Sequence, residues 1–182
     1  MKRELLIGSG PSRVKKITTN GSNVQIHLKE WENLTTLDID PNCGADVIWD
    51  LGVFPYPFED NTFDEIHAYE ILEHLGSLGD YKFFFKQFEE MWRILKPEGL
   101  LFGLVPGPKS PWIWGDPGHT RVITPEQLQF LDQSFYEVDS EGNFMKVQSN
   151  YYQTIYKGNL QTVTKVFEND YKSFLFMLKA IK

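Results

Sequence analysis

The sequence predicts an α/β domain of the doubly wound type, with one mostly parallel sheet at its centre, and three observations carry that reading. Short apolar runs end in Gly or Asp turns near the start of the chain, as buried strands do. A long segment at 81–95 places its apolar residues three and four apart, the period of a helix with one buried face. Strand-type and helix-type segments then follow one another along the chain, an order that builds a parallel sheet flanked by helices on both faces.

Glu4 to Ile7 reads as a buried strand meeting the tight turn Gly8-Ser9-Gly10. Pro11 to Lys29 departs from the usual long first helix. The turn signal Thr19-Asn20-Gly21-Ser22 separates Lys16-Ile17-Thr18 from Val24-Gln25-Ile26-His27, which predicts a hairpin, although Ser12 to Ile17 has room for one or two helical turns. Leu34 to Asp38 and Asp46 to Trp49 are the next two strands of the sheet, and Phe63 to Ala68 is the fourth. In the helix Tyr81 to Leu95, Phe84, Phe85, Phe88, Met91, Trp92 and Leu95 form a core stripe, ended by Lys96-Pro97-Glu98-Gly99. Leu100 to Val105 is apolar throughout, as a strand buried on both faces of a parallel sheet would be. Thr124-Pro125-Glu126-Gln127 opens another helix, with Thr at the N-cap, Pro at the first position and Gln completing a capping box. Tyr151, Tyr152 and Tyr156 are read as following a sixth strand, where they would form a lid or a dimer face. Phe174 to Ile181 is the last strand.

Composition narrows the function. The 182 residues, 41% hydrophobic and 15% aromatic, suffice for one domain spanning 1–182 with its own core. A lone cysteine, Cys43, allows neither an internal disulfide nor a cysteine metal cluster. A net charge of −7 disfavours nucleic acid as a partner, because a phosphate-binding surface needs clustered Lys and Arg. With no signal-like segment and no apolar run of the ~20 residues that span a bilayer, the expected location is the cytoplasm, away from membranes, as a monomer or homodimer.

Ligands of doubly wound sheets bind beyond the carboxyl ends of the strands, and three features fall there. Gly8 and Gly10 follow the first strand, where backbone passes close to a ligand with no Cβ in the way. Asp38 ends the second strand, placed to accept hydrogen bonds from ribose hydroxyls, and Asp50 follows the third, placed to meet a base edge. A dinucleotide-binding fingerprint is excluded: it needs a third glycine where this chain has Arg13, and an acid ~20 residues on, whereas Asp38 lies 28 residues past Gly10.

The stretches Leu5 to Gly10, Leu37-Asp38-Ile39-Asp40, Ala45 to Leu51, Phe58 to Ile66, Ile71-Leu72-Glu73-His74-Leu75 and Arg93 to Gly99 resemble the class I S-adenosylmethionine-dependent methyltransferases. The resemblance covers roughly residues 3 to 135 and implies a Rossmann-like, seven-stranded sheet with its last strand antiparallel. It implies S-adenosyl-L-methionine as cofactor, held by Gly8, Ser9, Gly10, Asp38, Ile39, Asp50, Leu51 and Glu70, and methyl transfer as the reaction. Two positions depart from the family pattern. Leu6 stands where an acidic residue or Asn is usual, and Pro11-Ser12 replaces a third small residue; both bear on cofactor affinity rather than on fold.

Glu70, Glu73 and His74 follow the fourth strand and, if helical, share one face. His119 lies in the long loop after the fifth strand. Metal-dependent members of the superfamily show a similar Glu-x-x-Glu-His with a later histidine, so the resemblance implies Glu70, Glu73, His74 and His119 as ligands of Mg or Mn. The same pattern occurs in relatives as a helix cap with no metal. His74 or His119 can instead act as a metal-free general base, or catalysis can rest on alignment alone. Trp112 and Trp114 either wall the acceptor pocket or pin their loop. The expected activity is O-methylation of a small molecule or glycan. The rivals are a catalytically silent methyltransferase-like binding subunit and a metal-dependent RNA 2′-O-methyltransferase.

Overall fold

A computed structural model describes residues 1–20, 23–143, 145–146 and 151–182. Seven strands form the sheet: β1 (Glu4–Ile7), β4 (Leu34–Asp38), β5 (Val47–Ile48), β6 (Phe63–Tyr69), β7 (Leu95–Pro106), β8 (Leu160–Glu168) and β9 (Ser173–Ala180). Their order is β5-β4-β1-β6-β7-β9-β8. The pairs from β5 to β7 are parallel, and β9 runs antiparallel to both β7 and β8. This is the mostly parallel sheet with one reversed strand that the sequence leads one to expect.

The pleat sorts each strand between two cores. Leu5 and Ile7 of β1, with Phe174, Phe176 and Leu178 of β9, face the larger core. Leu6, Leu175 and Met177 face the smaller one. Helix α1 (Tyr81–Ile94) covers the larger core with Phe85, Phe88, Met91 and Ile94. Its N-cap is Asp80, whose carboxylate accepts the Phe83 N–H at 3.0 Å, the bond that satisfies an otherwise orphaned helix donor. Gly103 of β7 pairs with Phe176, and a Cβ there would collide with the Phe176 ring.

Four expectations need correction. The second face of the sheet is not covered by helices. It carries an antiparallel hairpin of β2 (Lys15–Asn20) and β3 (Asn23–Lys29), so the segment from Ser12 makes no helical turn; residues 21 and 22 of the turn signal lie outside the described set. Ile17 packs under it against Leu6, Tyr69 and Phe102. Next, β7 is not flanked by parallel strands on both sides, and it starts at Leu95 rather than after the Lys96-to-Gly99 stop. Leu95 already pairs with Phe63, and Glu98 absorbs the change of direction at φ +64°. The capping box at Thr124 and Gln127 forms as expected, on a short α3 (Pro125–Gln129). Finally, the tyrosines precede β8 rather than follow it. Tyr152, on α4 (Tyr151–Ile155), packs its ring 5.1 Å from that of Phe85, and Tyr156 is fully buried, so these two belong to the core and not to a lid.

Beneath the hairpin lies a buried polar cluster. The Lys15 ammonium bridges Glu4 and Glu65, the latter at 3.0 Å. Glu65 also meets His67 Nε2 at 3.2 Å, and His67 Nδ1 lies 2.6 Å from the Tyr69 hydroxyl. Burial holds the His67 ring below its ordinary pKa, and it stacks on Phe102 at 4.6 Å. Every oxygen of the two carboxylates is partnered, which is the condition for keeping charge in a low-dielectric interior.

Candidate active site

Three strand ends meet at the carboxyl edge. Gly8 and Gly10 take left-handed backbone, φ +60° and +49°, which turns the chain sharply off β1. The Gly10 N–H donates to the Asp38 carboxylate at 2.7 Å, and the other Asp38 oxygen accepts the Asp40 N–H at 2.9 Å. The Asp38 carbonyl in turn accepts the Trp49 N–H at 2.9 Å, tying β4 to the segment that leads to Asp50. Gly10, Asp38 and Asp50 therefore share one edge.

The individual residues differ from expectation in instructive ways. A Cβ on Gly8 would overlap the side chain of Ile71, so packing against protein, not room for a ligand, demands that glycine. Gly10 faces open space and needs only its backbone angle. Ser9 is buried and its hydroxyl is bound to the Gly10 carbonyl at 3.1 Å. Asp50 is exposed, accepts the Gly52 N–H at 2.7 Å, and borders an apolar shelf of Ile39, Ile48, Trp49 and Val53. The Leu51 side chain is in the core, so only its backbone is near this edge.

After β6 the chain makes a 3₁₀ turn, Leu72–His74, rather than an α-helix, with Glu70 left-handed ahead of it at φ +53°. Glu70, His74 and His119 line one cleft with Trp112, Asp116 and Ser110. The imidazole rings of His74 and His119 meet edge-on, 4.5 Å apart. His74 Nδ1 lies 3.1 Å from the Gly118 carbonyl. A carbonyl only accepts, so Nδ1 is the donor in this contact.

Glu73 stands behind the histidines. It is buried, neither carboxyl oxygen has a hydrogen-bond partner, and burial followed by the neighbouring Glu70 carboxylate raises its pKa to about 8. His119 Nδ1 is likewise buried and unpartnered. One ligand atom each from Glu73, His74 and His119 lies within 4.8 Å of the others; Glu70 borders Glu73 but falls outside this group, which corrects the four-ligand set. The Glu73 carbonyl accepts the N–H groups of Thr120 and Arg121, which ties the turn to the loop that carries His119.

Trp112 sits 64% exposed at the cleft wall, whereas Trp114, 73% exposed, does not line it. A separate apolar cavity of about 190 Å³ lies between α1 and Val122, with Phe84, Phe85 and Arg121 in its walls. Arg121 was not singled out by motif. It is nearly buried, donates to the Leu72 carbonyl at 2.8 Å and pairs with Gln87. Ile71 and Arg13 also shape the edge without any local signal in the sequence.

Comparison with known proteins bears on the fold and the domain type. Residues 18–103 match a family model described as a methyltransferase domain. A S-adenosylmethionine-dependent methyltransferase from Archaeoglobus fulgidus superposes with TM-score 0.54 at 16% identity, over 98% of this chain and 86% of that one. Over residues 18–103 the chain is thus similar to methyltransferase domains, and in fold it is similar to S-adenosylmethionine-dependent methyltransferases. The N-methyltransferase NodS from Bradyrhizobium japonicum superposes with TM-score 0.51 at 15% identity, over 100% and 86% of the two chains. A Haloferax volcanii methyltransferase, solved with its Trm112 activator, gives 0.53 at 12%, over 100% and 83%. At these identities the likeness is one of fold. No curated protein matches by sequence. In this chain the glycine turn, with Asp38 bound to Gly10, leads directly into the β2–β3 hairpin. None of the described helices is long and apolar enough to cross a membrane.

Proposed function

We propose that this chain methylates a hydroxyl oxygen of a small polyhydroxylated molecule or glycan. The carrying observation is the contact of His74 Nδ1 with the Gly118 carbonyl in a ring that lines the cleft: with Nδ1 as the donor, Nε2 is the ring nitrogen left to act as a base. An amine acceptor can react through its own lone pair, whereas a hydroxyl has to give up a proton, and His74 Nε2 is where it goes. Trp112 offers a flat face for a sugar or other ring, and Glu70 and Asp116 offer acceptors for neighbouring hydroxyls.

The residues at the strand ends suit S-adenosylmethionine. Asp38 has lone pairs beyond the two used by the backbone, as ribose hydroxyls require. Ile39, Ile48 and Val53 are exposed beside Asp50, as an adenine face requires. The cofactor supplies a methyl group already activated on a sulfonium, so the chain's own task is to hold the acceptor oxygen in line and to take its proton. Calorimetry with S-adenosylmethionine and S-adenosylhomocysteine tests the cofactor step; no heat from either removes the reading. Transfer of labelled methyl to hydroxyl but not amine acceptors is the expected outcome, and the reverse preference removes the O-methyl assignment.

One observation favours a second reading in which Glu73, His74 and His119 hold Mg or Mn. The Glu73 carboxyl oxygens and His119 Nδ1 are buried without a hydrogen-bond partner, the condition a cation would relieve. Such an ion would lower the pKa of the acceptor hydroxyl. Melting points with Mn and Mg, compared with Glu73→Gln, decide it; the ions should stabilise the native chain alone, and identical curves under all conditions exclude a metal.

A further inference from the structure

A glycine turn in an α/β nucleotide site ordinarily leads into a helix, whose N-terminal N–H groups and dipole hold the turn and its ligand. Here that support is missing. Pro11 has no N–H, the Ser12 N–H returns to the Ser9 carbonyl at 3.2 Å, and the Val14 N–H goes to the Ser12 hydroxyl at 3.4 Å before the chain enters β2. Arg13 occupies the gap. Its Nη1 donates to the Gly10 carbonyl at 3.0 Å and the Ser12 carbonyl at 3.1 Å, and its Nη2 donates to the Gly44 carbonyl at 2.6 Å. Gly10 belongs to the loop after β1 and Gly44 to the loop after β4, so one planar guanidinium spans the two loops that flank Asp38. The backbone of Arg13 is itself anchored, since its carbonyl accepts the Trp31 indole N–H at 2.7 Å. Two residues on, Lys15 is locked between Glu4 and Glu65.

We propose that Arg13 is a positioning residue for the cofactor: it clamps the Gly10 turn to the Gly44 loop and stands in for the missing helix N-terminus. The fork geometry matters, because a guanidinium serves two carbonyls at once and an ammonium on a flexible stem holds them poorly. The proposal rests on the reading that S-adenosylmethionine sits at this edge. Gly44, left-handed at φ +74°, aims its carbonyl at the guanidinium, so a side chain there disturbs the same clamp from the other end.

The test combines binding with hydrogen exchange. Arg13→Ala should weaken S-adenosylhomocysteine about tenfold, Arg13→Lys should recover part of that loss, and Arg13→Ala with Gly44→Ala should lose no more than the single change. Without any cofactor, amides of 8–14 and 40–46 should exchange faster together in Arg13→Ala, while those of α1 stay as protected as in the native chain. Native affinity in Arg13→Ala, or unchanged exchange in both loops, overturns the clamp. A native chain that binds no S-adenosylhomocysteine overturns the cofactor reading and the positioning role with it, and the cofactor-free exchange result separates that failure from loss of the clamp. If Arg13→Ala fails to fold, Arg13→Lys carries the same comparison.

Discussion

At the scale of single residues, the two glycines of the turn make a sharp contrast. Both need left-handed backbone, but only Gly8 is also pressed by a side chain, that of Ile71. Gly8→Ala should cost about 2–4 kcal/mol, the sum of backbone strain and overpacking. Gly10→Ala should cost about 1–2 kcal/mol, from strain alone; equal losses in denaturant melts would refute the packing argument. Glu73 makes a prediction with a definite sign. Its pKa rises from 4.5 to about 8 on folding, so across that range the folded state keeps a proton that the unfolded chain releases, and stability falls as pH rises. In chelator, Glu73→Gln should melt higher than the native chain at pH 8, by about 1–3 kcal/mol, and the gap should close toward pH 4.5. His74→Asn keeps an N–H for the Gly118 carbonyl but has no base. Its turnover should fall about 10²- to 10⁴-fold with cofactor affinity intact, and calorimetry beside single-turnover rates separates the two effects.

At the scale of elements, the hairpin is held to the sheet by a charge as much as by Ile17. Lys15→Met leaves Glu4 and Glu65 buried with a lost partner, which should cost about 3–5 kcal/mol. Acid should release the same element in two stages. His67 is held neutral by burial, so below pH 6.5 the unfolded chain takes a proton that the folded one refuses. Glu65, despite burial, is held well below its ordinary value by its bonds to His67, Lys2 and Lys15, so a second loss of stability begins under pH 4.5. Both shifts favour the unfolded state on acidification. Exchange of β2 and β3 amides followed from pH 7 to pH 4 checks the order, and a hairpin that stays protected while β9 opens would contradict it.

At the scale of the whole molecule, β9 is one of the strands that feed both cores. It lies between β7 and β8 and gives Phe174, Phe176 and Leu178 to one face and Leu175 and Met177 to the other. Because the two cores share one sheet, thermal unfolding should be a single transition, with calorimetric and van't Hoff enthalpies that agree. A chain ended at residue 158 loses β8 and β9 together and should not fold; a sharp melt from that fragment would show that the parallel half stands alone.

Local chemistry was enough to read much of this from the sequence. The 3.6 period of α1, the Gly-x-Gly turn, the pairing of the two hairpin strands β2 and β3 and the capping box at Thr124 each depend on neighbours a few residues away, and each appears where its pattern lies. The order of acids after β4 and β5 likewise follows from strand ends sharing an edge. What the sequence could not reveal are contacts between distant segments. That Ile71 rather than a ligand excludes a side chain at Gly8, that Lys15 neutralises Glu4 and Glu65, that His119 joins Glu73 and His74 in one ligand-atom group, and that Arg13 reaches Gly44 all depend on which loops the sheet brings together. Periodicity records which face of an element is buried, but not what it is buried against, and partners on other elements are chosen by the packing of the finished sheet.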